Sequence, residues 1–502
     1  MSAGSRVAPS RLTYDAIVFG GELAGAVAAA LLARRGHRVL AIAHGAPPPS
    51  YRDQGFVLPS APTLMPMLRQ LPAGAALVDE LGLGQELART EHPVTPALQL
   101  LTASSRLELP ADPASRAAEL GRELGAAAGE ASAALEALAL SERALDPFFA
   151  RPAPLPAQGL FERWRHRQAL SKEPRLGAAA PGLPGALAEG TPLGAALLAL
   201  WQIASGSAEE RPPSLPALRP LELLLRGAAT RPGGALGLAR ELRARVPGWG
   251  GELFEGPGAG SRVQAIELEG RRLAAVRLSG SPHEYRATLF VAALPGGELR
   301  ELLPASAATS KLATTAGAAR PRRALAVLNL VVAEAGVPVG LGRAALLAVA
   351  GAPGLLVEQL PVEREEGETG VPARVLLLSR EAPIERLASE AQARELLREM
   401  RAEVERYFPF LARHVLAESS PLLGDEAPLA TALQLHSAVE VGLPAQLGVT
   451  GLPLRSPAPN LLFASREVLP GLGLEGELLT GLAAAAQVER KLPKKRARLS
   501  AR

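Results

Sequence analysis

The residues with the clearest chemical meaning lie near the start of the chain, in GGELAG at 20–25. In a G-x-G-x-x-G turn, backbone N–H groups and a helix N-terminus hold a pyrophosphate. Gly20 and Gly25 occupy the first and third glycine positions, with Gly21 beside the first, whereas Glu22 occupies the middle one. Like charges ~4 Å apart in an effective dielectric near 20 repel by about 4 kcal/mol. The stretch therefore predicts a phosphate-type turn whose central position is taken by an acid.

The elements that must position this turn form a βαβ unit. An apolar run at Ala16–Phe19 precedes the glycines, a helical pattern covers Ala24–Arg35, and a second apolar run covers Val39–Ile42. Strand, glycine turn, helix and strand within about 30 residues open a dinucleotide-binding fold. An acid that binds ribose hydroxyls is expected after the second strand, but Ala43 and His44 stand there.

Composition sets the broad class. With 502 residues the chain is long enough for two or three domains. It contains no cysteine, so disulfides, thiolate metal sites and cysteine nucleophiles are excluded. The seven histidines have no metal-ligand spacing, and we assign no metal ligand and no catalytic residue. Aromatic residues make up 3% of the chain, which argues against a sequence-specific nucleic-acid partner.

The two ends of the chain suggest no targeting signal. Residues 1–11 lack an apolar signal core and are predicted to be a disordered lead-in. No run of ~18 uncharged apolar residues is present, so a cytoplasmic protein is expected. From Glu489 onward there are seven basic residues and one acid, which leaves the body nearly neutral. This basic tail, 491–502, is interpreted either as a solvated end or as a contact with an acidic partner or anionic lipid.

A second basic cluster, RWRHR, lies at 163–167 within a predicted helix at 160–170. It could contact an acidic partner. The favoured interpretation is the solvated face of a helix whose Trp164 turns inward.

Periodicity predicts the remaining elements, with proline-rich links at 181–192 and 211–220 flanking a short apolar helix. Helices are predicted at 74–87, 114–140, 384–407 and 474–490. Strands are predicted at 262–268, 273–278, 287–292, 324–332, 355–360, 374–378 and 460–464, and two short strands surround a Ser-Ser turn within LQLLTASSRLELPADP.

This order of elements resembles the phytoene desaturase branch of the FAD-dependent amine-oxidase-type flavoproteins. IVFGGELAGAVAAALLARRGHRVLAI resembles the first FAD motif of that family, and NLLFASREVLPGLGLEGELLTGLAAA resembles its closing motif. RPGGALGLARELRARV resembles the helix before the strand that approaches adenine, which would place Val263 near the adenine.

The resemblance implies an α/β fold in which a discontinuous Rossmann-like FAD/NAD(P)-binding domain carries an inserted substrate-type domain of helices and an antiparallel sheet. The first domain would comprise 12–110, 229–305 and 450–490. The inserted domain would comprise 111–228 and 306–449.

Several departures from the family concern FAD contacts. Besides Glu22 and Ala43, a Gly-Gly-Arg segment is absent from APPPSYRDQ, and Ser465-Arg466 replaces Gly-Asp in the closing motif. In this fold the closing motif lies against the first turn, so we expect Glu22 and Arg466 to form an ion pair where the pyrophosphate would lie. Glu475 corresponds to a position that caps the last helix near the flavin, and it is also interpretable as a structural acid on a helix dipole.

Two classes of function follow. The first is a pseudoenzyme with a degenerate FAD site, which binds an apolar ligand or a protein partner in the inserted domain. For this class we expect no cofactor. If a cofactor does bind, we expect it to be FAD. The fold-level precedent is the GDP-dissociation-inhibitor family, which resembles these flavoproteins and lacks flavin. The alternative is an FAD-dependent oxidoreductase, desaturase-like or amine-oxidase-like, which acts on an apolar, isoprenoid-like substrate through non-standard FAD contacts.

Overall fold

A computed structural model describes residues 13–102, 105–150, 157, 159–177, 190–256, 261–348, 353–365, 370–443 and 451–492. The predicted lead-in, and the predicted tail from residue 493 onward, lie outside these residues. The strands are β1 (Thr13–Phe19), β2 (Val39–Ile42), β3 (Ser50–Asp53), β4 (Phe56–Pro59), β5 (Leu64–Pro66), β6 (His92–Pro93), β7 (Leu98–Leu101), β8 (Arg106–Leu109), β9 (Ala228–Thr230), β10 (Glu252–Phe254), β11 (Val263–Glu269), β12 (Arg272–Leu278), β13 (Glu284–Ala292), β14 (Ala319–Ala333), β15 (Ala344–Leu347), β16 (Leu355–Pro361), β17 (Glu363–Arg364), β18 (Ala373–Pro383), β19 (Val415–Ser419), β20 (Ser437–Val441) and β21 (Leu461–Phe463).

The helices are α1 (Leu23–Arg34), α2 (Pro72–Leu81), α3 (Gly84–Thr90), α4 (Pro113–Leu124), α5 (Ala128–Arg143), α6 (Asp146–Phe149), α7 (Leu160–Lys172), α8 (Pro192–Ser205), α9 (Arg219–Arg226), α10 (Gly234–Arg245), α11 (Gly296–Leu302), α12 (Ser310–Ala316), α13 (Glu390–Tyr407), α14 (Pro428–Leu435) and α15 (Gly473–Lys491). Within the described part of the chain, no helix has both the length and the apolar composition needed to cross a bilayer.

The first sheet combines three distant parts of the chain. Its strands run in the order β10-β2-β1-β13-β12-β11, and β21 also pairs with β13. Strands β2, β1, β13 and β21 are parallel, so their carboxyl ends meet at one edge. The βαβ unit predicted from the sequence forms β1, α1 and β2. The predicted discontinuous Rossmann-like fold is therefore confirmed.

Helix α1 packs tightly because it is built from small residues. Its alanines are buried against the sheet and against α15. A Cβ added at Gly481 of α15 would lie 2.6 Å from the carbonyl oxygen of Ala24, so only glycine permits this approach. Buried apolar surface stabilises such a contact by roughly 25 cal/mol per Å².

The second sheet carries the inserted domain. Its order is β19-β14-β18-β16-β15-β7-β8, and β20 also pairs with β14. The longest ladder is antiparallel and joins β14 to β18 from Arg323 to Ala333. Both faces are buried, because Leu346 and Leu356 pack in the cluster that contains α8, whereas Ala345 and Val357 pack in the cluster that contains α13. The short strands predicted within LQLLTASSRLELPADP are β7 and β8, which join this second sheet.

Two predicted helices are each divided in the structure. The predicted helix at 74–87 is α2 and α3, separated at Gly82, whose φ is +69°. The predicted helix at 114–140 is α4 and α5, separated at Gly125, whose φ is +55°. A left-handed glycine ends a helix at little steric cost, and the helical periodicity continues across the break, so the pattern conceals it.

The orientation predicted for Trp164 is wrong. Its side chain is 49% exposed and stacks on Phe161, with ring centroids 5.7 Å apart. The inward face of α7 is formed instead by the half-buried residues Glu162, His166 and Leu170.

Candidate functional site

The glycine turn after β1 is filled by neighbouring protein atoms. Gly20 has a φ of +127°, and a Cβ there would lie 1.9 Å from the carbonyl oxygen of Ala293. A Cβ on Gly25 would lie 2.1 Å from the Cβ of Ala293, and one on Gly21 would lie 2.4 Å from the Cα of Ala46. These glycines are therefore required by packing of the chain against itself, whether or not a ligand binds.

Glu22 and Arg466 form the ion pair that the sequence predicts. Glu22 Oε1 accepts a hydrogen bond from Arg466 Nε at 2.9 Å, and Oε2 accepts one from the Arg466 backbone N–H at 2.7 Å. The Glu22 side chain is 6% exposed. It is the residue before α1, yet it caps none of that helix's own N–H groups. Arg466 lies three residues after the end of β21, and Ser465, which precedes it, is also buried. The carboxylate thus receives a cation and a backbone N–H, the partners that a phosphate usually receives.

Two further acids surround this pair. Glu467 Oε2 accepts the Gly296 N–H at the start of α11 at 2.7 Å. Burial and the nearby Glu22 charge raise the pKa of Glu467 to about 8. Burial also raises the pKa of Glu22 to about 6, against the opposing effect of Arg466. The Oε2 atom of Glu477 is buried with no hydrogen-bond partner. Glu467 therefore keeps its proton near neutral pH, and an added phosphate would meet the negative charge of Glu22.

His44 occupies the region predicted for the ribose and adenine. Its Nδ1 accepts the Val263 N–H at 2.8 Å, so Nε2 carries the ring proton and donates it to Glu298 Oε1 at 2.7 Å. Ala43 is buried, and its N–H donates to the Phe254 carbonyl at 2.9 Å. Instead of an acid directed at ribose hydroxyls, the chain has an internal hydrogen-bond relay from β11 to α11. No motif or spacing in the sequence singles out Glu298.

Glu475 is paired with a buried arginine that the sequence analysis missed. Both Glu475 oxygens contact the wholly buried Arg219, which also donates to Asp146 Oδ1 at 2.7 Å and to the Glu142 carbonyl at 3.2 Å. The Arg219 guanidinium lies 4.4 Å from the centre of the Phe149 ring. As a structural acid, Glu475 therefore has a specific partner in Arg219. The contacts of Arg219 join α15 to α5, α6 and α9.

A second arginine extends this cluster. Arg226 donates to Asp146 Oδ2 at 2.8 Å and contacts Glu222 one helical turn away. The predicted proline-rich link at 211–220 is wrong at its end, because α9 begins at Arg219 and residues 215–225 are buried. The only signal in the sequence was the alternation of charged and leucine residues in RPLELLLR, which indicates charges inside an apolar helix.

A cavity of about 190 Å³ lies where these elements meet. Among the predicted site residues, Gly21, Glu22, Arg466 and Glu475 line it, whereas Gly20, Gly25, Ala43, Val263 and Ser465 do not. It begins at the carboxyl edge of the first sheet, the usual ligand position in open α/β sheets. From there it extends to the leucine-rich second sheet and α14. In the ranges that the structure covers, no group of three or more His, Asp or Glu residues could hold a metal ion.

The arrangement does not fit an FAD pyrophosphate. The Glu22 carboxylate already uses the Arg466 N–H, Ala46 covers Gly21, and His44 already uses the Val263 N–H. A bound dinucleotide would have to break these contacts and overcome repulsion from the Glu22 carboxylate.

The buried acids predict that stability falls as the pH rises. Burial raises the pKa of Glu142 and of Glu467 to about 8, from an ordinary 4.5. Between those values the folded chain keeps protons that the unfolded chain releases, so the free energy of unfolding decreases with pH. We expect the Tm to fall by about 5 °C between pH 6 and pH 8.5, measured by thermal unfolding.

The matched variants are Glu467→Gln, which keeps an acceptor for the Gly296 N–H, and Glu390→Gln, whose side chain is exposed. Glu467→Gln should show a shallower pH dependence, and Glu390→Gln should follow the wild type. Equal slopes for all three proteins would show that Glu467 does not hold a proton in the folded state.

Comparison with known proteins identifies the fold. No family model and no curated protein matches the sequence. Among solved structures, an oxidoreductase from Methanosarcina mazei has a TM-score of 0.56 at 15% identity, covering 94% of this chain and 99% of that one. Cyclohexylamine oxidase from Brevibacterium oxydans IH-35A gives 0.53 at 15%, covering 95% and 99%. A putrescine oxidase triple mutant from a redesign of cofactor binding gives 0.54 at 12%, covering 96% and 99%.

At these identities the likeness concerns the fold alone, which this chain shares with the solved oxidoreductase and the two amine oxidases. The fold that the resemblance implied is confirmed, whereas the phytoene desaturase branch is not singled out. The comparisons do not support the expectation that no cofactor binds.

Proposed function

We propose that this chain is a non-catalytic binding protein built on an oxidoreductase fold, in which Glu22 takes the place of a cofactor phosphate. The observation that carries this proposal is the double contact from Arg466, through its backbone N–H and its guanidinium, to the buried Glu22 carboxylate. A folded chain that supplies its own anion at this position has already used the Arg466 donors that a phosphate would need.

The ligand that best suits the cavity is apolar. Away from the ion pair its walls are mainly aliphatic, and they include Leu200, Ile203, Leu325, Leu356 and Leu433. An isoprenoid-like chain would bury its surface there at about 25 cal/mol per Å² without requiring polar partners. A lipid-like group carried by a protein partner has the same chemistry and would enter the same space.

A second candidate is an FAD-dependent oxidoreductase of the desaturase or amine-oxidase type that acts on an apolar substrate. It is supported by the fold shared with the solved oxidases and by a cavity that connects the glycine turn with the inserted domain. In that case Glu22 would have to leave Arg466 when the cofactor enters.

Flavin binding separates the two candidates. We expect the purified protein to show no flavin absorbance, and its Tm to change by less than about 1 °C in excess FAD. A ligand that binds only the folded state at 100 times its Kd would add about 2.7 kcal/mol to the free energy of unfolding. Glu22→Gly/Arg466→Asp, which restores the residues expected from the resemblance, is the matched variant. Stoichiometric flavin in the wild type would establish the second candidate in place of the first.

A separate thermal-unfolding experiment tests whether the cavity binds an apolar ligand. A C10 isoprenoid alcohol should raise the Tm of the wild type but not that of Ile203→Trp, which narrows the cavity. Leu416→Trp is the control, since Leu416 is exposed and does not line the cavity. An equal response of both variants would place the alcohol elsewhere and contradict the proposed ligand.

A further inference from the structure

Helix α7 presents an unusual surface, which we call the aromatic–basic face. Leu160, Phe161 and Trp164 are 84%, 66% and 49% exposed. Three of the eight large hydrophobic residues that are exposed in the described chain thus lie within five consecutive residues. The basic members of this face are Arg163, Arg165, Arg167 and Lys172, all exposed.

Helix geometry explains how the face is arranged. At about 100° per residue, Leu160, Phe161 and Trp164 project from one side of α7. Arg163 and Arg167 fall on one flank of this apolar stripe, and Arg165 and Lys172 fall on the other. The opposite side of the helix carries the half-buried residues, of which Ala169 and Leu170 pack against the core of the first domain.

The single acid of α7 does not weaken this positive charge. Glu162 accepts the Gly159 N–H at 3.1 Å and forms an ion pair with Arg455, and its side chain is only 10% exposed. Within the described residues, none of the three α7 arginines forms an ion pair with an acid. The exposed charged residues that flank the apolar stripe of α7 are therefore all cations.

Further positive charge lies beside the same end of α7. Lys491, at the end of α15, donates to the Pro459 carbonyl at 2.7 Å, in the loop that carries Arg455. Burial, and then the charges of Arg455, Arg272 and Arg490, lower the pKa of Lys491. Beyond Leu492 the sequence continues with Lys494, Lys495, Arg496, Arg498 and Arg502 and contains no acid.

We propose that the aromatic–basic face docks on an anionic phospholipid surface. Tryptophan, phenylalanine and leucine on one side of the start of α7, flanked by arginine and lysine, are the residue types that an interfacial helix presents, while the polar Gln168 and Ser171 follow on the same side. The apolar stripe would enter the boundary between headgroups and acyl chains, while the long arginine and lysine side chains reach the lipid phosphates. A nucleic acid would use the cations but leave Leu160 exposed to water, so the lipid surface accounts for more of the face. This inference is independent of what the cavity holds.

The test is co-sedimentation of the full chain with vesicles of phosphatidylcholine containing 30% phosphatidylserine, against pure phosphatidylcholine. We expect the wild type to bind the anionic vesicles, to bind them less as salt rises, and to bind pure phosphatidylcholine weakly. Phe161→Ser/Trp164→Ser should reduce the partition coefficient about tenfold. Phe410→Ser/Leu416→Ser removes two exposed apolar residues from another surface and should bind like the wild type.

Three results would overturn the proposal. The first is a wild type that does not sediment with anionic vesicles at low salt. The second is equal binding by the Phe161→Ser/Trp164→Ser variant, particularly if a chain truncated after Leu492 loses all binding, because the tail alone would then be responsible. The third is competition by an RNA oligonucleotide that removes the chain from the vesicles while the Phe161→Ser/Trp164→Ser variant binds that RNA as tightly as the wild type.

Discussion

Replacing Arg219 by methionine should lower the free energy of unfolding by about 3–5 kcal/mol. Methionine preserves most of the aliphatic volume but leaves the completely buried Glu475 without its cation, whereas Asp146 keeps its contact with Arg226. An uncompensated buried charge is far more costly than the net contribution of the intact pair. Urea unfolding at pH 7.5 measures the loss.

Two control variants accompany this prediction: one breaks an exposed ion pair, and the other keeps the positive charge at position 219. Arg322→Met breaks an ion pair with Glu440 in which both side chains are 53% exposed, and it should cost less than about 1 kcal/mol. Arg219→Lys keeps the charge without the planar fork and should give an intermediate loss. A loss below about 1 kcal/mol for Arg219→Met would mean that the cluster is solvated or rearranges freely.

The second large effect is expected at Arg466. Arg466→Met should destabilise the chain by about 3 kcal/mol, because it leaves the buried Glu22 carboxylate with only a backbone donor. Glu22→Gln removes the charge and keeps the shape. In the double variant no ion remains unpaired, so its loss should be smaller than the sum of the two single losses. The double-mutant cycle should give a coupling energy of at least about 1.5 kcal/mol.

Additive losses would contradict the coupling. If the two single losses sum to the double loss within about 0.5 kcal/mol, Glu22 and Arg466 act independently. The exposed pair Arg386 and Glu399, at 2.7 Å, provides a matched cycle in which we expect little coupling.

The sequence predicts the fold well where local patterns determine it. The apolar runs around the glycine turn give β1, α1 and β2, and alternation gives β11, β12 and β13. The Glu22–Arg466 contact, across 444 positions, was accessible only through the resemblance, which places the closing motif against the first turn. Spacing alone carries no information about such long-range pairs.

What the sequence could not predict depends on tertiary packing. Arg219 looks like a surface residue beside a proline, and only the meeting of α5, α9 and α15 buries it. Trp164 is apolar enough to predict an inward side chain, yet the inward face of α7 is supplied by other residues. His44 is one of seven scattered histidines, and its partners Val263 and Glu298 are more than 200 positions away.

Because the first sheet is built from three distant parts of the chain, its strands are synthesised at widely separated times. The amino-terminal strand and helix emerge early, but β21 and Arg466 follow some 444 residues later. At roughly 5–20 residues per second, translation leaves Glu22 without its cation, and the alanine-rich surface of α1 without α15, for roughly 20–90 s. During that interval a nascent chain exposes apolar surface that only its last segment can cover. Synthesis of this protein therefore places its greatest demand on chaperones before the closing motif has left the exit tunnel.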